Sequence, residues 1–342
     1  MIIRENVKLS EITTMRLGGP ADFVIDVESE DDVREAFEFA SNHNLPIYFL
    51  GSGANSIGLD SGFPGIILRN RIKGFEILKE TDSELELKVG GGEIWDEFVA
   101  YVSEKGFSGV EAMSKIPGTV AAAPVQNIGA YGQEVKDTLV SVSAFDTLLE
   151  EFVEIKKEDC NFSYRSSIFN SGKKKGRFFI LSCIFRLERK DLTPPFYNSL
   201  ETYLEEKKIS DFSPISIRKA VSAIRAEKLP DPEEIASAGS FFKNILLSDK
   251  EADEAEKKGV PVRRTGKENK VNTGWLLENA GLKGKSFHGF KISEKAALIL
   301  INESGKSEAD LEKAVEEISG IVEEKFGFRL SMEPVKIEEK ND

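Results

Sequence analysis

Residues 116–132 read Ile116-Pro-Gly-Thr-Val-Ala-Ala-Ala-Pro-Val-Gln-Asn-Ile-Gly-Ala-Tyr-Gly132, which strings glycine, alanine and proline around one Asn and one Tyr. Such a run forms a poor helix and a poor central strand, because proline removes a backbone donor and glycine weakens both elements. Backbone N–H groups without large side chains beside them can cradle a pyrophosphate. Taken alone, the run is equally compatible with a buried turn of small residues packed between two elements.

The length and charge of the chain limit its class. At 342 residues it is long enough for two or three domains. The net charge of −13 argues against a nucleic-acid binder, because affinity for phosphate backbones comes from clustered Lys and Arg. A phosphorylated small molecule stays open, since a few local cations and backbone amides can hold one.

The cysteines, the histidines and the absence of long apolar segments indicate a cytoplasmic protein. Cys160 and Cys183 do not form a CxxC pair, so a reduced setting is expected. His43 and His288 lie far apart in the sequence, which argues against a zinc site. No window approaches 18 uninterrupted apolar residues and the N-terminus lacks a signal-peptide pattern, so no membrane insertion is expected.

The hydrophobic spacing predicts a mixture of helices and strands. Helices are expected at 31–45, after Gly90-Gly-Gly92, before Leu229, and from the cap at Ser307 to Gly327. Strands are expected at 47–50, 65–68, 75–78, 85–89, 139–145, 177–187 and 297–301. Residues 328–337 also alternate like a strand, with Pro334 marking an edge or a bulge.

A second glycine-rich segment, Gly51-Ser-Gly-Ala-Asn-Ser56, follows a predicted strand. It is not a dinucleotide-binding fingerprint, because the sixth position is Ser56 and no clear helix follows. A phosphate-holding loop of another type and an ordinary turn between strands both remain open. No G-x-S-x-G elbow is present, and the two scattered histidines argue against a Ser-His hydrolase.

Three single residues carry possible chemistry, each with a plainer alternative. Arg165 follows Tyr164 and either clamps a carboxylate bidentately or lies over the ring at the surface. Ser240, between a glycine and two phenylalanines, either delivers a proton in a dry site or caps a helix or turn. Glu333 lies in the alternating terminal run, where a carboxylate is usually solvated.

These segments occur in a fixed order that is specific as a set. The order is Thr13-Thr-Met-Arg-Leu-Gly-Gly-Pro-Ala-Asp22, Leu50-Gly-Ser-Gly-Ala-Asn-Ser56, Ile116-Pro-Gly through Asn127-Ile-Gly-Ala-Tyr-Gly132, Tyr164-Arg-Ser-Ser-Ile-Phe169, Gly239-Ser-Phe-Phe-Lys-Asn244, Leu300-Ile-Asn302 and Met332-Glu-Pro334. From about residue 5 to 337, the chain resembles the UDP-N-acetylenolpyruvoylglucosamine reductases.

The resemblance implies an α+β fold. It consists of a two-lobed FAD-binding domain of the vanillyl-alcohol-oxidase (PCMH) type and a separate α+β substrate-binding domain. The bounds then expected are 1–72 and 73–190 for the lobes, 191–224 for an insertion or connection, 225–327 for the substrate-binding domain, and 328–342 for a C-terminal strand returning to the flavin site.

The resemblance also implies a chemistry. In that family NADPH gives hydride to the flavin, and UDP-N-acetylglucosamine enolpyruvate then takes hydride at its vinyl carbon to become UDP-N-acetylmuramate, a peptidoglycan precursor. Carried over by motif, Arg165 and Glu333 would stabilise the enolate-like charge, and Ser240 would protonate the neighbouring carbon. Glu333 suits that place if it is protonated or hydrogen-bonded, since a bare carboxylate would repel the enolate.

The same resemblance implies binding residues. Flavin contacts are expected from Leu50, Gly51, Ser52, Gly53, Ala54, Asn55, Ser56, Ile116, Pro117, Gly118, Thr119, Ala123, Asn127, Gly129, Ala130, Tyr131 and Gly132. In the subtype with an extra substrate-covering loop, Tyr197 would stack over the uracil, Lys228 and Asn244 would hold the diphosphate, and Tyr164 would lie in the substrate site. Lys115, Ala122-Ala123 and Ser293 stand where the family often has a glycine, a double glycine and a histidine.

Two other classes remain as alternatives. One is a flavin oxidoreductase of the same superfamily with a different substrate; the other is a non-catalytic flavin or nucleotide-sugar binding protein. Arg165, Ser240 and Glu333 together favour the reductase, because an alcohol oxidase needs no proton donor to a carbanion. Covalent flavin is not expected, since neither glycine-rich segment contains His or Cys. The expected protein is a cytoplasmic monomer whose partners are NADPH and the enolpyruvyl sugar nucleotide, without metal.

Overall fold

The computed structural model describes residues 1–232, 234–265 and 268–339. The chain divides into two compact units. The first comprises Met1–Asn6, Ala21–Ser52 and Pro64–Glu227; the second comprises Val7–Pro20, Gly53–Phe63 and the chain from Lys228 onward. The sequence predicts a finer division of the chain, into two lobes, an insertion and a substrate-binding domain. The boundaries of these parts stay predictions.

The strands and helices alternate irregularly along the chain, as in an α+β protein. The strands are β1 Ile2–Lys8, β2 Pro20–Val27, β3 Ile47–Phe49, β4 Ser56–Gly58, β5 Phe63–Asn70, β6 Phe75–Glu80, β7 Glu84–Gly90, β8 Gly129–Ala130, β9 Gln133–Glu134, β10 Leu139–Asp146, β11 Glu151–Lys156, β12 Phe178–Glu188, β13 Ser237–Ser240, β14 Ile245–Leu247, β15 Val262–Arg264, β16 Asn269–Val271, β17 Ser286–Phe287, β18 Phe290–Ile292, β19 Ile299–Asn302 and β20 Val335–Ile337. The helices are α1 Leu9–Ile12, α2 Glu30–His43, α3 Trp95–Glu104, α4 Val135–Thr138, α5 Asn198–Glu206, α6 Pro214–Lys228, α7 Asp249–Lys257, α8 Thr273–Asn279 and α9 Glu308–Phe326.

The largest sheet of the first unit has five antiparallel strands in the order β11-β10-β12-β7-β6. Alternate residues of β7 enter the core beneath α3, which explains the period of two in its sequence. The α3 residues Trp95 and Phe98 are fully buried there against Phe185 of β12. The indole N–H of Trp95 donates to the carbonyl of Met113 at 3.1 Å, so its burial leaves no polar group unmet.

A second sheet in the first unit has the order β1-β2-β5-β3 and is covered by α2. The α2 helix begins after Ser29, whose hydroxyl accepts from the backbone N–H of Asp32 at 3.1 Å. It ends at Asn44, which takes the left-handed conformation with φ of 54°. The sequence-predicted helix at 31–45 is therefore confirmed, as are the strands predicted at 47–50 and 65–68.

In the second unit, a sheet in the order β13-β19-β18-β17 and a smaller sheet in the order β14-β16-β15 share one hydrophobic core with α8 and α9. The predicted cap of α9 is confirmed: the hydroxyl of Ser307 accepts from the N–H of Asp310 at 3.0 Å, and Gly327 ends the helix with φ of 79°. Met15, Leu17 and Ile57, from the two N-terminal segments of this unit, belong to the same core.

The strand predicted over residues 328–337 is confirmed only in part, and the interruption lies at Pro334, where the sequence placed an edge or a bulge. Only Val335–Ile337 forms a strand, paired in parallel with β4, while Met332 makes a single bridge with Phe242. Pro334 lies between these two pairings, and because proline has no N–H it cannot continue a ladder.

In the part of the chain that the structure describes, no helix is both long enough and apolar enough to cross a membrane.

The end of β10 provides a test of stability. Asp146 is buried, and its carboxylate accepts two hydrogen bonds from Arg177, at 2.7 and 2.6 Å. The Arg177 guanidinium holds the pKa of Asp146 below its usual value, so this group stabilises the fold above the unfolded-state pKa of about 4 and loses that effect as the pH falls further.

We therefore expect Asp146→Asn to lower the urea midpoint of unfolding at pH 7 more than at pH 3. The two curves of midpoint against pH should converge on acidification. A difference that is constant over this range would show that the carboxylate charge is not the stabilising group.

Candidate active site

The two glycine-rich segments predicted from the sequence meet within the first unit. A Cβ built on Gly51 would lie 3.0 Å from the Cβ of Ala122 and 3.5 Å from the Oγ1 of Thr119. The loop therefore approaches the run closely enough that a Cβ at position 51 would press on the side chain of Ala122. Leu50, one residue earlier, is buried and donates its N–H to the carbonyl of Leu68 at 3.0 Å, which fixes the loop to β5.

The run itself is held at both sides by backbone hydrogen bonds. Val120 and Ala121 donate to the carbonyls of Glu93 and Gly91, at 2.9 and 3.0 Å, and the carbonyl of Gly118 accepts from Trp95 at 3.0 Å. These bonds attach the run to the turn between β7 and α3. The alternative of a packed turn is thus correct for its middle part.

Two glycines of the run remain open at their Cα atoms. Gly118 has φ of 143° and Gly132 has φ of 93°, which L-residues rarely adopt, and a Cβ built on either meets no heavy atom within 4 Å. Open backbone beside glycine is the kind of surface that a pyrophosphate can approach closely. The residues present therefore fit the diphosphate of a dinucleotide cofactor.

The amide of Asn127 is engaged inside the unit. It donates to Glu134 at 3.1 Å and to the carbonyl of Ser163 at 3.4 Å, and its oxygen accepts from the N–H of Lys136 at 3.1 Å. Asn127 itself is buried, with φ of 45°. This side chain shapes the bend of the run, and the predicted cofactor contact of Asn127 stays a prediction.

Arg165 lies beside the far end of the same run. Its guanidinium carbon is 5.5 Å from the centre of the Tyr164 ring, and one of its nitrogens is 3.5 Å from the carbonyl oxygen of Gly129. The backbone of Arg165 has φ of 53°, in the left-handed region that costs a non-glycine residue about 1–2 kcal/mol. The Arg165 guanidinium thus contacts the Tyr164 ring, as one of the two sequence-based alternatives predicts. It does so next to the glycine-rich run.

Sequence reasoning missed a buried carboxylate that organises this region. Glu111 is fully buried and accepts from the hydroxyl of Ser108 at 2.7 Å and from the N–H groups of Gly109 and Val110 at 2.6 and 2.9 Å. It also accepts from the amide of Gln133 at 3.1 Å, directly after the run. The sequence indicated this burial only by placing one acidic residue, Glu111, among small and apolar neighbours.

Ser240 and Glu333 are neighbours in the second unit. Ser240 ends β13, where it is paired with Ile299, so it is not a helix cap. The next residue, Phe241, accepts at its carbonyl from the N–H of Glu333 at 2.8 Å. Phe241 and Phe242 are buried, and Glu333 is only 8% exposed. The expectation of a solvated Glu333 is wrong, because the pairing with residues 241–243 draws it inward.

The second half of the glycine-rich loop reaches the same place in this unit. The amide of Asn55 donates to the carbonyl of Glu333 at 3.4 Å, and the carbonyl of Asn55 accepts from the N–H of Val335 at 3.0 Å. A Cβ built on Gly53 would lie 2.2 Å from the carbonyl oxygen of Ile12, so this position requires glycine. Within the second unit, Asn55 of the loop is therefore hydrogen-bonded to the backbone of Glu333 and Val335.

The predicted substrate residues lie on different elements. Tyr197 stands directly before α5, is 38% exposed, and has its ring centre 5.8 Å from that of Tyr131 at an angle of 81°. Lys228 is the last residue of α6 and is exposed. Asn244 uses its side-chain oxygen to accept from the N–H of Thr273 at 3.1 Å. The Tyr131–Tyr197 contact joins a predicted cofactor residue to a predicted substrate residue.

Comparison with known proteins identifies the kind of protein to which this site belongs. Residues 21–148 match the family model of an FAD binding domain. Residues 231–337 match the model for the C-terminal domain of UDP-N-acetylenolpyruvoylglucosamine reductase. An FAD-binding domain followed by this C-terminal domain confirms the predicted α+β fold.

Full-length relatives agree with the domain models. The chain is 34% identical to the UDP-N-acetylenolpyruvoylglucosamine reductase of Pseudomonas fluorescens (strain Pf0-1) over 97% of its length and 98% of the relative. It is 35% identical to the protein of that name from Bdellovibrio bacteriovorus, over 98% and 100% of the two chains. The crystal structure of the Thermus caldophilus enzyme of that name has the same fold, with a TM-score of 0.68 at 23% identity over 98% of this chain and 99% of that one. The chain belongs to the UDP-N-acetylenolpyruvoylglucosamine reductase family.

Proposed function

We propose that the protein is an FAD-containing oxidoreductase that uses NADPH to reduce UDP-N-acetylglucosamine enolpyruvate to UDP-N-acetylmuramate, a step in peptidoglycan precursor synthesis. Family membership over nearly the whole chain supports the substrate. The observation that carries the cofactor is the close approach of Gly51 to Thr119 and Ala122, beside the open backbone of Gly118.

The protein's own groups divide the work as follows. Backbone N–H groups of residues 50–56 and 116–132 hold the diphosphate of the cofactor. A flavin bound there would supply the hydride chemistry that links NADPH to the vinyl carbon of the substrate. Arg165 stabilises the negative charge that then develops beside the substrate carboxylate.

Ser240 gives a proton to the neighbouring carbon, which completes the reduction. A serine hydroxyl is a weak acid toward water but an adequate one toward a carbanion. Glu333, which is buried, takes part through hydrogen bonding, because an uncompensated carboxylate charge there would repel the enolate. Tyr164, Tyr197, Lys228 and Asn244 are proposed to bind the sugar nucleotide.

A visible absorption spectrum recorded without oxygen tests this function. The purified protein, loaded with FAD, should lose its flavin absorbance when NADPH is added and regain it only when UDP-N-acetylglucosamine enolpyruvate follows. A flavin that bleaches but ignores the sugar nucleotide would indicate an oxidoreductase with a different substrate. A protein that binds no FAD at all would be a binding protein of another kind.

The glycine-rich run gives a test of the cofactor site alone. We expect Gly118→Ala to weaken FAD binding by about tenfold or more, because the methyl group would occupy the open side of a backbone with φ of 143°. Gly74→Ala is the matched control, since Gly74 in the same unit has φ of 124° and open space around it but lies outside the run. Equal FAD affinities for the two variants, measured by fluorescence titration, would contradict this role for Gly118.

We further propose that the protein works as a monomer in the cytoplasm. The two buried cysteines support a reducing compartment, since both are free thiols, and burial raises the pKa of Cys160 to about 12. Sedimentation velocity of the FAD-loaded protein tests the monomer, and a dimer at micromolar concentration would contradict it.

A further inference from the structure

Asp96, in the first turn of α3, is the centre of a polar cluster that the proposed chemistry does not use. Its carboxylate accepts two hydrogen bonds from the guanidinium of Arg218, at 2.7 and 3.1 Å. It also accepts from the backbone N–H of Lys115 at 2.7 Å, and the Lys115 ammonium lies 3.2 Å away. The side chains of Asp96 and Arg218 are only 17% and 15% exposed, so this is not an ordinary surface ion pair.

The charge of Asp96 is maintained in this environment. Burial alone would raise the pKa of the carboxyl, but the bonds from Arg218 and from the Lys115 backbone outweigh it and hold the pKa below the usual value. The cluster therefore stays ionised at neutral pH.

The contact with Lys115 controls an unusual backbone position. Lys115 immediately precedes the glycine-rich run and has φ of 60°, in the left-handed region that favours glycine. A lysine in that conformation carries backbone strain. The hydrogen bond to the Lys115 N–H and the ion pair with its ammonium offset that strain, so Asp96 defines the direction in which the run begins.

The contact with Arg218 controls α6. Arg225 lies seven residues after Arg218, two turns further along the same face. One Arg225 nitrogen donates to the carbonyl of Lys115 at 3.2 Å, and its guanidinium is hydrogen-bonded to the hydroxyl of Tyr131. Asp96 is thus connected to Arg225 by two routes, one through Lys115 and one through α6.

The same network reaches the predicted uracil-stacking residue. Tyr131 packs both on the Tyr197 ring and on the hydrophobic cluster made by α5 and α6. That cluster contains Leu200, Leu204, Ile217, Val221 and Ile224. A shift of α6 would therefore move the surface on which Tyr197 rests.

We propose that Asp96 is a positioning residue for the sugar nucleotide: it holds Lys115 and α6 in place and thereby fixes the loop that carries Tyr197. The proposal rests on the proposed function, because Tyr197 is assigned there to nucleotide binding. Asp96 itself acts through its neighbours and needs no contact with the substrate.

Asp96→Asn in the FAD-loaded protein tests the proposal, with UDP as the probe. We expect the dissociation constant for UDP, measured by calorimetry, and the KM for the enolpyruvyl sugar nucleotide each to rise about tenfold, while kcat changes by less than about twofold. Asp253→Asn is the matched control, since Asp253 also pairs with an arginine, Arg264 at 2.6 Å, but is exposed and lies in the other unit. A lower thermal midpoint with an unchanged UDP affinity would show that Asp96 is merely structural.

Two further variants keep the test decisive. Arg218→Gln leaves Asp96 on Lys115 and should raise the UDP dissociation constant in the same direction, which covers the case in which Asp96→Asn fails to fold. The double variant Asp96→Asn, Arg218→Gln should have about the same dissociation constant for UDP as the single variant that binds UDP less tightly. The reason is that both residues act through one network. A dissociation constant for UDP that rises in the double variant by the product of the two single-variant factors would overturn the proposal. Wild-type protein that neither binds UDP nor turns over would instead refute the proposed function.

Discussion

Ser240→Ala is expected to separate the two halves of the reaction. Bleaching of the flavin by NADPH should proceed at the wild-type rate, whereas its return on addition of the enolpyruvyl sugar nucleotide should slow by about 10²–10⁴-fold, the usual contribution of a positioned proton donor. The reason is that hydride arrival at the vinyl carbon leaves negative charge on its neighbour, which the proton proposed to come from Ser240 would remove. Stopped-flow absorbance without oxygen follows both phases.

Ser286→Ala is the matched control for that experiment. Ser286 belongs to the same four-stranded sheet as Ser240, and its hydroxyl donates to Glu303 at 3.0 Å at an exposed position. Both phases should keep their wild-type rates in this variant. If Ser240→Ala also leaves the second phase unchanged, another group must supply the proton.

Arg165→Gln is expected to slow the same second phase by about 10²–10³-fold, because it removes the cation that we propose to stabilise the developing charge. Arg165→Lys should recover only part of the rate, since an ammonium cannot fork onto a carboxylate. Neither change adds backbone strain, as all three residues meet the same cost at φ of 53°.

Arg186→Gln controls for the loss of an arginine in the same unit. Arg186 pairs with Glu86 across neighbouring strands at 2.9 Å and is about half exposed, so its removal should alter neither phase. A second phase that is equally fast in Arg165→Gln and Arg186→Gln would remove Arg165 from the mechanism.

Much of the fold was predictable, because the spacing of hydrophobic residues and the capping residues at helix ends indicate the same local structure. Helix α9 is an example, since its capping residues are adjacent to it in sequence: Ser307 at its start and Gly327 at its end. Residues 328–337 were predictable only in part. Their alternation is compatible with a long strand, but Pro334 and the separate partners of Met332 and Val335 break it.

The candidate site divides in the same way. Motif order proposes Arg165, Ser240 and Glu333 as catalytic residues, and these roles stay predictions. The burial of Glu333 could not be predicted, because it depends on strand pairing with residues distant in sequence. The cluster around Asp96 was not predictable at all, because Arg218 is 122 residues away along the chain. Nothing in the sequence shows that these two side chains meet.

The division of the chain into two units has a consequence for modularity. The chain passes from one unit to the other at 6/7, 20/21, 52/53, 63/64 and 227/228. The C-terminal family domain of residues 231–337 therefore lacks part of its own interior, since Met15, Leu17 and Ile57 are supplied by the N-terminal region. It also lacks β4, the partner of its last strand. Excised as a fragment, or transplanted into another protein by recombination, it would carry an open core.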